Sequence, residues 1–185
     1  MYFSVLNTPP NAAICWASWS GTEHGDATRP AGQVGVGLAG DIVFALSDAP
    51  PSGAGVLGCT AVDLPLSDCA LRIDEVAFPV GAIAHRHTHS GFGWRHLISG
   101  ALRIEADDAT EVMHPGASWF EPADSPVRAV AQHQTGVSRF VRAMVIPKSF
   151  IGRSTFALRD PDDAALPRLQ ITHRHIDHVL QVDAG

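Results

Sequence analysis

The sequence predicts an all-β protein, a sandwich or barrel of short antiparallel strands. Three observations lead there. Thirteen prolines and seventeen glycines punctuate 185 residues with turn signals. Between the turns lie strand-length apolar runs, one of which alternates cleanly, with Leu71, Ile73, Glu75 and Ala77 on one face. No segment carries the 3.6-residue apolar period of an amphipathic helix, and strands recurring at this spacing are the pattern of sandwiches and barrels.

The elements run in order along the chain. Residues 1–52 are expected to form an N-terminal arm, packed against the remainder or against a partner subunit, with short apolar runs at Ala12–Trp16 and Gly40–Leu46, and Ala49-Pro50-Pro51-Ser52-Gly53 separates it from the remainder. Residues 53–147 hold the regular part. Strands are expected at Gly55–Asp63, Leu71–Phe78, Ile83–His89, Trp94–Ile98, Leu102–Ala106, Glu111–His114, Ala117–Glu121, Val127–Gln132 and Arg139–Ile146. Turns fall at Pro79-Val80-Gly81, Gly91–Gly93, Ser99-Gly100, Pro115-Gly116 and Pro122–Pro126. Residues 148–185 are a C-terminal extension, in which Arg159–Asp163 is a solvated turn and Leu169–Val182 a final strand returning to an edge.

Composition narrows the function. The chain is 45% hydrophobic, enough for a core within one domain. Its net charge is −6 and its single lysine is Lys148, so the clustered positive charge that nucleic acid requires is missing. No apolar stretch is long enough for a membrane span. Met1–Leu6 lacks the basic and apolar regions of a signal peptide. The three cysteines, Cys15, Cys59 and Cys69, read as reduced, buried thiols, and the expected location is cytoplasmic. A small-molecule ligand is the expected partner, with neither nucleic acid nor membrane.

The chemistry-bearing feature is His85-Arg86-His87-Thr88-His89. On a strand, side chains two apart share a face, so His85, His87 and His89 are expected to point together. Imidazoles so arranged suit a divalent ion such as Zn, Fe, Mn, Ni or Cu. The surroundings match a longer pattern. Gly81 is followed by five residues, then His87-Thr88-His89, three residues, position 93, six residues and Gly100. Further on, Pro115-Gly116 and Pro122-Ala123-Asp124-Ser125-Pro126-Val127 repeat the turns of a second pattern. Over residues 55–147 the chain resembles the cupin superfamily, the small single-domain RmlC-like jelly rolls, in these two motifs. The resemblance implies a double-stranded β-helix with a cavity and homodimers formed through sheet edges, which the N-terminal arm and C-terminal tail of this chain are expected to cover. It also implies a metal held by His, His, Glu and His.

Two of those four positions differ, with Gly93 in place of the Glu and Val127 in place of the last His. The candidate metal ligands are therefore His87 and His89 first, then His85 and His96. Glu121 and Asp124 lie near the second-motif turn as oxygen donors, and Glu121 and His96 are the candidate acid–base groups. Trp94, Trp119 and Arg95 are the expected pocket residues, Arg95 because it shares parity with position 93 and suits a carboxylate. A second cluster, His173, His175, Asp177 and His178, lies in the tail without an assigned role. Two functions are compatible with these residues. One is a metal-dependent cupin enzyme acting as dioxygenase, isomerase or lyase. The other is a non-catalytic small-molecule binding or sensing cupin with a degenerate metal site.

Overall fold

A computed structural model describes residues 1–21, 32–37, 41–64 and 68–180. Of the expected runs, Gly40 and residues 181–182 lie outside this set. The described residues contain strands and two 3-10 turns but no α-helix. No helix among them is long and apolar enough to cross a membrane.

Among the described residues, fifteen strands form three antiparallel sheets. The N-terminal sheet contains β1 (Tyr2–Leu6), β2 (Cys15–Trp19), β3 (Gly32–Val34), β4 (Ile42–Ser47) and β5 (Val56–Ala61), in the order β3-β2-β4-β1-β5. The arm expected at 1–52 is thus a sheet in its own right, completed by β5 from beyond the Pro-rich break. The other two sheets face each other across a cavity. One contains β11 (Ser118–Glu121), β8 (Phe92–Ser99), β13 (Val137–Pro147), β6 (Cys69–Pro79) and β15 (Ile171–Val179), in that order. The other runs β10 (Thr110–Met113), β9 (Leu102–Glu105), β12 (Val127–Ala131), β7 (Ile83–His89) and β14 (Phe156–Leu158). The crossovers between these two sheets make a cupin-type jelly roll. Gly81 and Gly100, the two motif glycines, both sit at φ 76° in tight turns, a conformation that costs a side-chain-bearing residue.

The strand β6 explains how three layers pack. Its odd residues Leu71 and Ile73 are fully buried against Phe3, Val5, Phe44 and Leu46 of the N-terminal sheet. Its even residues Arg72, Asp74, Val76 and Phe78 line the cavity. Period two holds, but both faces are covered, so the expected apolar face meets the outer layer rather than the barrel interior. The tail adds the outermost strands of both barrel sheets. β15 pairs with β6 along the edge, as expected for a returning strand, and β14 pairs with β7. Between them the expected turn closes a 3-10 helix at Pro161–Ala165, where the Asp160 side chain accepts a hydrogen bond from the Asp162 amide.

Candidate functional site

The barrel cavity has a volume of about 410 Å³, within the range of small-molecule sites. One end is apolar, walled by Val76, Phe78, Ala84, Ile104, Ala129 and Phe140. The other is polar, and among the described residues five arginines against two carboxylates line it: Arg72, Arg95, Arg142, Arg168 and Arg174 facing Asp74 and Glu121.

The polar end is built by strand register. Arg174 on β15 pairs with Asp74 on β6, Asp74 with Arg142 on β13, Arg142 with Arg95 on β8, and Arg95 with Trp119 on β11. One cross-strand row thus spans the whole sheet. Directly opposed like charges such as Arg95 and Arg142 destabilise a sheet on their own. Here acids flank them. Asp74 Oδ2 accepts from Arg142 Nε and Nη2 at 3.2 and 2.9 Å. Glu121 Oε2 lies 2.6 Å from Arg95 Nη2, an ion pair without the angles of a hydrogen bond. Glu121 Oε1 accepts from the Trp119 indole at 2.8 Å. Arg95 is 1% exposed, and its burial pulls the guanidinium pKa down to about 10 against the opposing pull of Glu121.

Across the cavity stand His87 and His89, their rings 4.9 Å apart. His87 Nδ1 meets the His85 carbonyl at 2.7 Å. A carbonyl only accepts, so Nδ1 carries the proton and Nε2 is left with its lone pair open to the cavity. Phe156 stacks on the same ring at 4.3 Å. Burial holds the His87 pKa at about 4, so the ring is neutral. In His89, Nε2 receives a hydrogen bond from Arg142 Nη1 at 3.0 Å, and Nδ1 contacts Thr155 Oγ1 at 3.0 Å. A guanidinium only donates, so Nε2 is the acceptor and Nδ1 the donor. Burial, then the charges of Arg142 and Arg95, hold the His89 pKa well below its usual value.

Other expected site residues lie elsewhere. His85 leaves the cavity because β7 is irregular. The β7–β12 register runs from Val127 opposite His87 to Ala129 opposite Ala84, so one extra residue on β7 breaks the alternation. His85 instead approaches the Pro167 carbonyl at 3.4 Å. His96 faces away, as strict parity implies, with Nδ1 on Ser118 Oγ at 2.8 Å. Trp94 is not a pocket residue. Its ring packs between the barrel and the N-terminal sheet, and its indole donates to the Phe3 carbonyl at 2.9 Å. Asp124 terminates a turn, with its amide on the His89 carbonyl and φ at 55°. In the tail cluster, Asp177 is bound to Arg72, and His175 lies 3.5 Å from Glu75. Sequence reasoning missed Asp74, Phe156, Arg168, Gln170 and Arg174 as cavity residues. The even face of β6 could have revealed Asp74, but the tail residues carry no local signal.

The metal implied by the cupin resemblance can be tested against this donor set. Among the described residues no group of three or more His, Cys, Asp or Glu is arranged to hold an ion. Of the two histidines, one has its ligating lone pair occupied by a guanidinium. The Glu position cannot carry a side chain in this geometry, because a Cβ on Gly93 would lie 2.1 Å from the Ala143 carbonyl oxygen. Val127, at the last motif position, is buried in the apolar cluster. The residues present do not fit a divalent ion.

No protein-family model and no curated protein matches the chain. Solved structures do align with it. An RmlC-like cupin from Shewanella frigidimarina is 17% identical over 46% of this chain and 83% of its own, with a TM-score of 0.37. The polyketide cyclase RemF from Streptomyces resistomycificus is 20% identical over 51% of this chain and 66% of its own, at 0.39. An oxalate oxidase in complex with the substrate analogue glycolate is 13% identical over 58% and 66%, at 0.40. The fold is a cupin-type, RmlC-like jelly roll, and the site within it is an arginine-lined cavity.

Proposed function

We propose that this protein binds a small organic anion, a carboxylate with an apolar body, inside the barrel and without a divalent metal. The observation that carries this reading is the in-register pair Arg95 and Arg142, two guanidiniums facing one enclosed space with Asp74 and Glu121 beside them. Their row ends on Arg174, and Arg168 stands at the mouth, 5.5 Å over the Phe156 ring, with no ion-pair partner among the described residues. The cavity therefore holds more positive than negative charge, which favours an anion and opposes a dication. Guanidinium geometry suits carboxylate oxygens in pairs. The apolar end gives the rest of the ligand a place to shed water.

The metal-dependent chemistries implied by the resemblance have weaker support. Catalytic metal sites commonly use three protein ligands, and this cavity offers one unoccupied imidazole nitrogen.

The test is a calorimetric titration of phenylacetate against its neutral amide, beside elemental analysis of protein purified without a histidine tag. The acid is expected to bind at least about tenfold tighter than the amide, as a charge-assisted hydrogen bond implies. Equal binding of acid and amide would sink the anion reading. Near-stoichiometric metal that disappears in His87→Ala would restore the metal site.

A further inference from the structure

The anion reading leaves one cavity group without a use, the open Nε2 of His87. Its lone pair is fixed as an acceptor, because Nδ1 is committed to the His85 carbonyl and the stacked Phe156 ring keeps the imidazole from turning. No described side chain donates to it. A second acceptor lies in the same lining. The side-chain oxygen of Gln170 is buried and has no hydrogen-bond partner among the described residues. A cavity that presents guanidiniums and unmet acceptors together asks for a ligand carrying both an anion and a neutral donor.

From this geometry we infer that the ligand is a hydroxy acid, its carboxylate on the Arg95–Arg142 pair and its hydroxyl donating to His87 Nε2. The inference rests on the anion reading and adds the second group to it. The spacing suits one small molecule. The His87 ring is 4.9 Å from His89, which itself bonds Arg142 at 3.0 Å. A hydroxyl and its neighbouring carboxylate are about 3 Å apart, and with a hydrogen bond of about 2.8 Å at each end they join partners up to about 8 Å from one another. The donor must be neutral. An α-amino acid would bring an ammonium group to a space whose described lining holds five arginines against two carboxylates. A hydroxyl meets the same acceptor without that repulsion. The hydrocarbon part of the acid then runs toward Phe78, Ile104 and Phe140.

Four probes of nearly one shape separate the contributions: mandelate, phenylacetate, phenylglycine and mandelamide, titrated calorimetrically into the wild-type chain. Mandelate is expected to bind about tenfold tighter than phenylacetate, the value of one hydrogen bond to an otherwise unmet acceptor. Phenylglycine is expected to bind more weakly than phenylacetate. In His87→Phe, which keeps a ring against Phe156 but has no acceptor, the preference for mandelate over phenylacetate should vanish while phenylacetate binding persists. Equal affinity for mandelate and phenylacetate in the wild type overturns the hydroxy-acid inference and leaves the anion reading standing. Mandelamide binding as tightly as mandelate overturns both. No saturable binding by any of the four at millimolar concentration overturns the inference as well.

Discussion

Arg142 Nη1 donates to His89 Nε2 across 3.0 Å, so a guanidinium occupies the lone pair that a metal would need. The same arginine is held by Asp74 through two more hydrogen bonds. This contact converts a histidine motif that resembles a metal site into part of a hydrogen-bonded arginine network.

Removing that arginine should recover metal affinity. In Arg142→Ala/Asp74→Asn the buried acid loses its charge together with its partner, so no lone buried carboxylate remains. His89 Nε2 is freed while the net charge of the cavity stays the same, because one positive and one negative side chain leave together. Nickel or zinc titration is expected to show binding at least about tenfold tighter than in the wild type. Identical metal affinity in both proteins would show that Arg142 does not block the site.

Restoring the motif glutamate should fail. Gly93→Glu places a Cβ 2.1 Å from the Ala143 carbonyl oxygen, within the β8–β13 pairing. Urea denaturation is expected to show a loss of more than about 4 kcal/mol, the range of severe core strain. A stable variant that retains stoichiometric metal would contradict the geometry.

Stability should fall on mild acidification. Burial holds His87 at about 4 in the folded protein, against 6.5 in an ordinary histidine. A depressed folded pKa contributes stability that is complete above the unfolded value and is lost as pH falls toward the folded one. The window is therefore pH 6.5 down to 4, and the contribution is roughly 3 kcal/mol at most. His89 and His96 shift in the same direction through burial and add to the slope. The Tm is expected to drop between pH 7 and pH 4.5, and His87→Gln should flatten the drop. A Tm that holds or rises across that interval would refute the neutral, buried histidine.

The tail should depend on one arginine. Arg72 is 1% exposed and donates to both Asp177 carboxylate oxygens and to the Phe150 and Arg153 carbonyls. Arg72→Met leaves Asp177 and two carbonyls without it, at a cost of about 3–5 kcal/mol for breaking a buried pair. Hydrogen exchange is expected to rise first in Ile171–Val179 and Phe156–Leu158, with ligand affinity falling because these segments wall the cavity. Uniform exchange across the barrel would mean that the tail is not separately anchored.

Much of this molecule is set by local pattern. Period-two alternation and turn residues place β6 through β13 within a few residues of their positions. The two motif glycines coincide with left-handed turns, and the inward direction of His87, His89 and Arg95 is a consequence of strand parity. Those properties depend on neighbours a few residues away, so the sequence by itself determines them. The tertiary structure decided the rest. A bulge set by pairing with β12 turned His85 out of the cavity, and an N-terminal sheet covering the outer face of β8 took Trp94 into its core. The tail returned from a distance in sequence to supply Phe156, Arg168 and Arg174. The row Arg174, Asp74, Arg142, Arg95 and Trp119 exists only when five strands dock in one register. Register between distant strands is a cooperative result of packing both faces at once, and for that reason the balance of charge in the cavity could not be read along the chain.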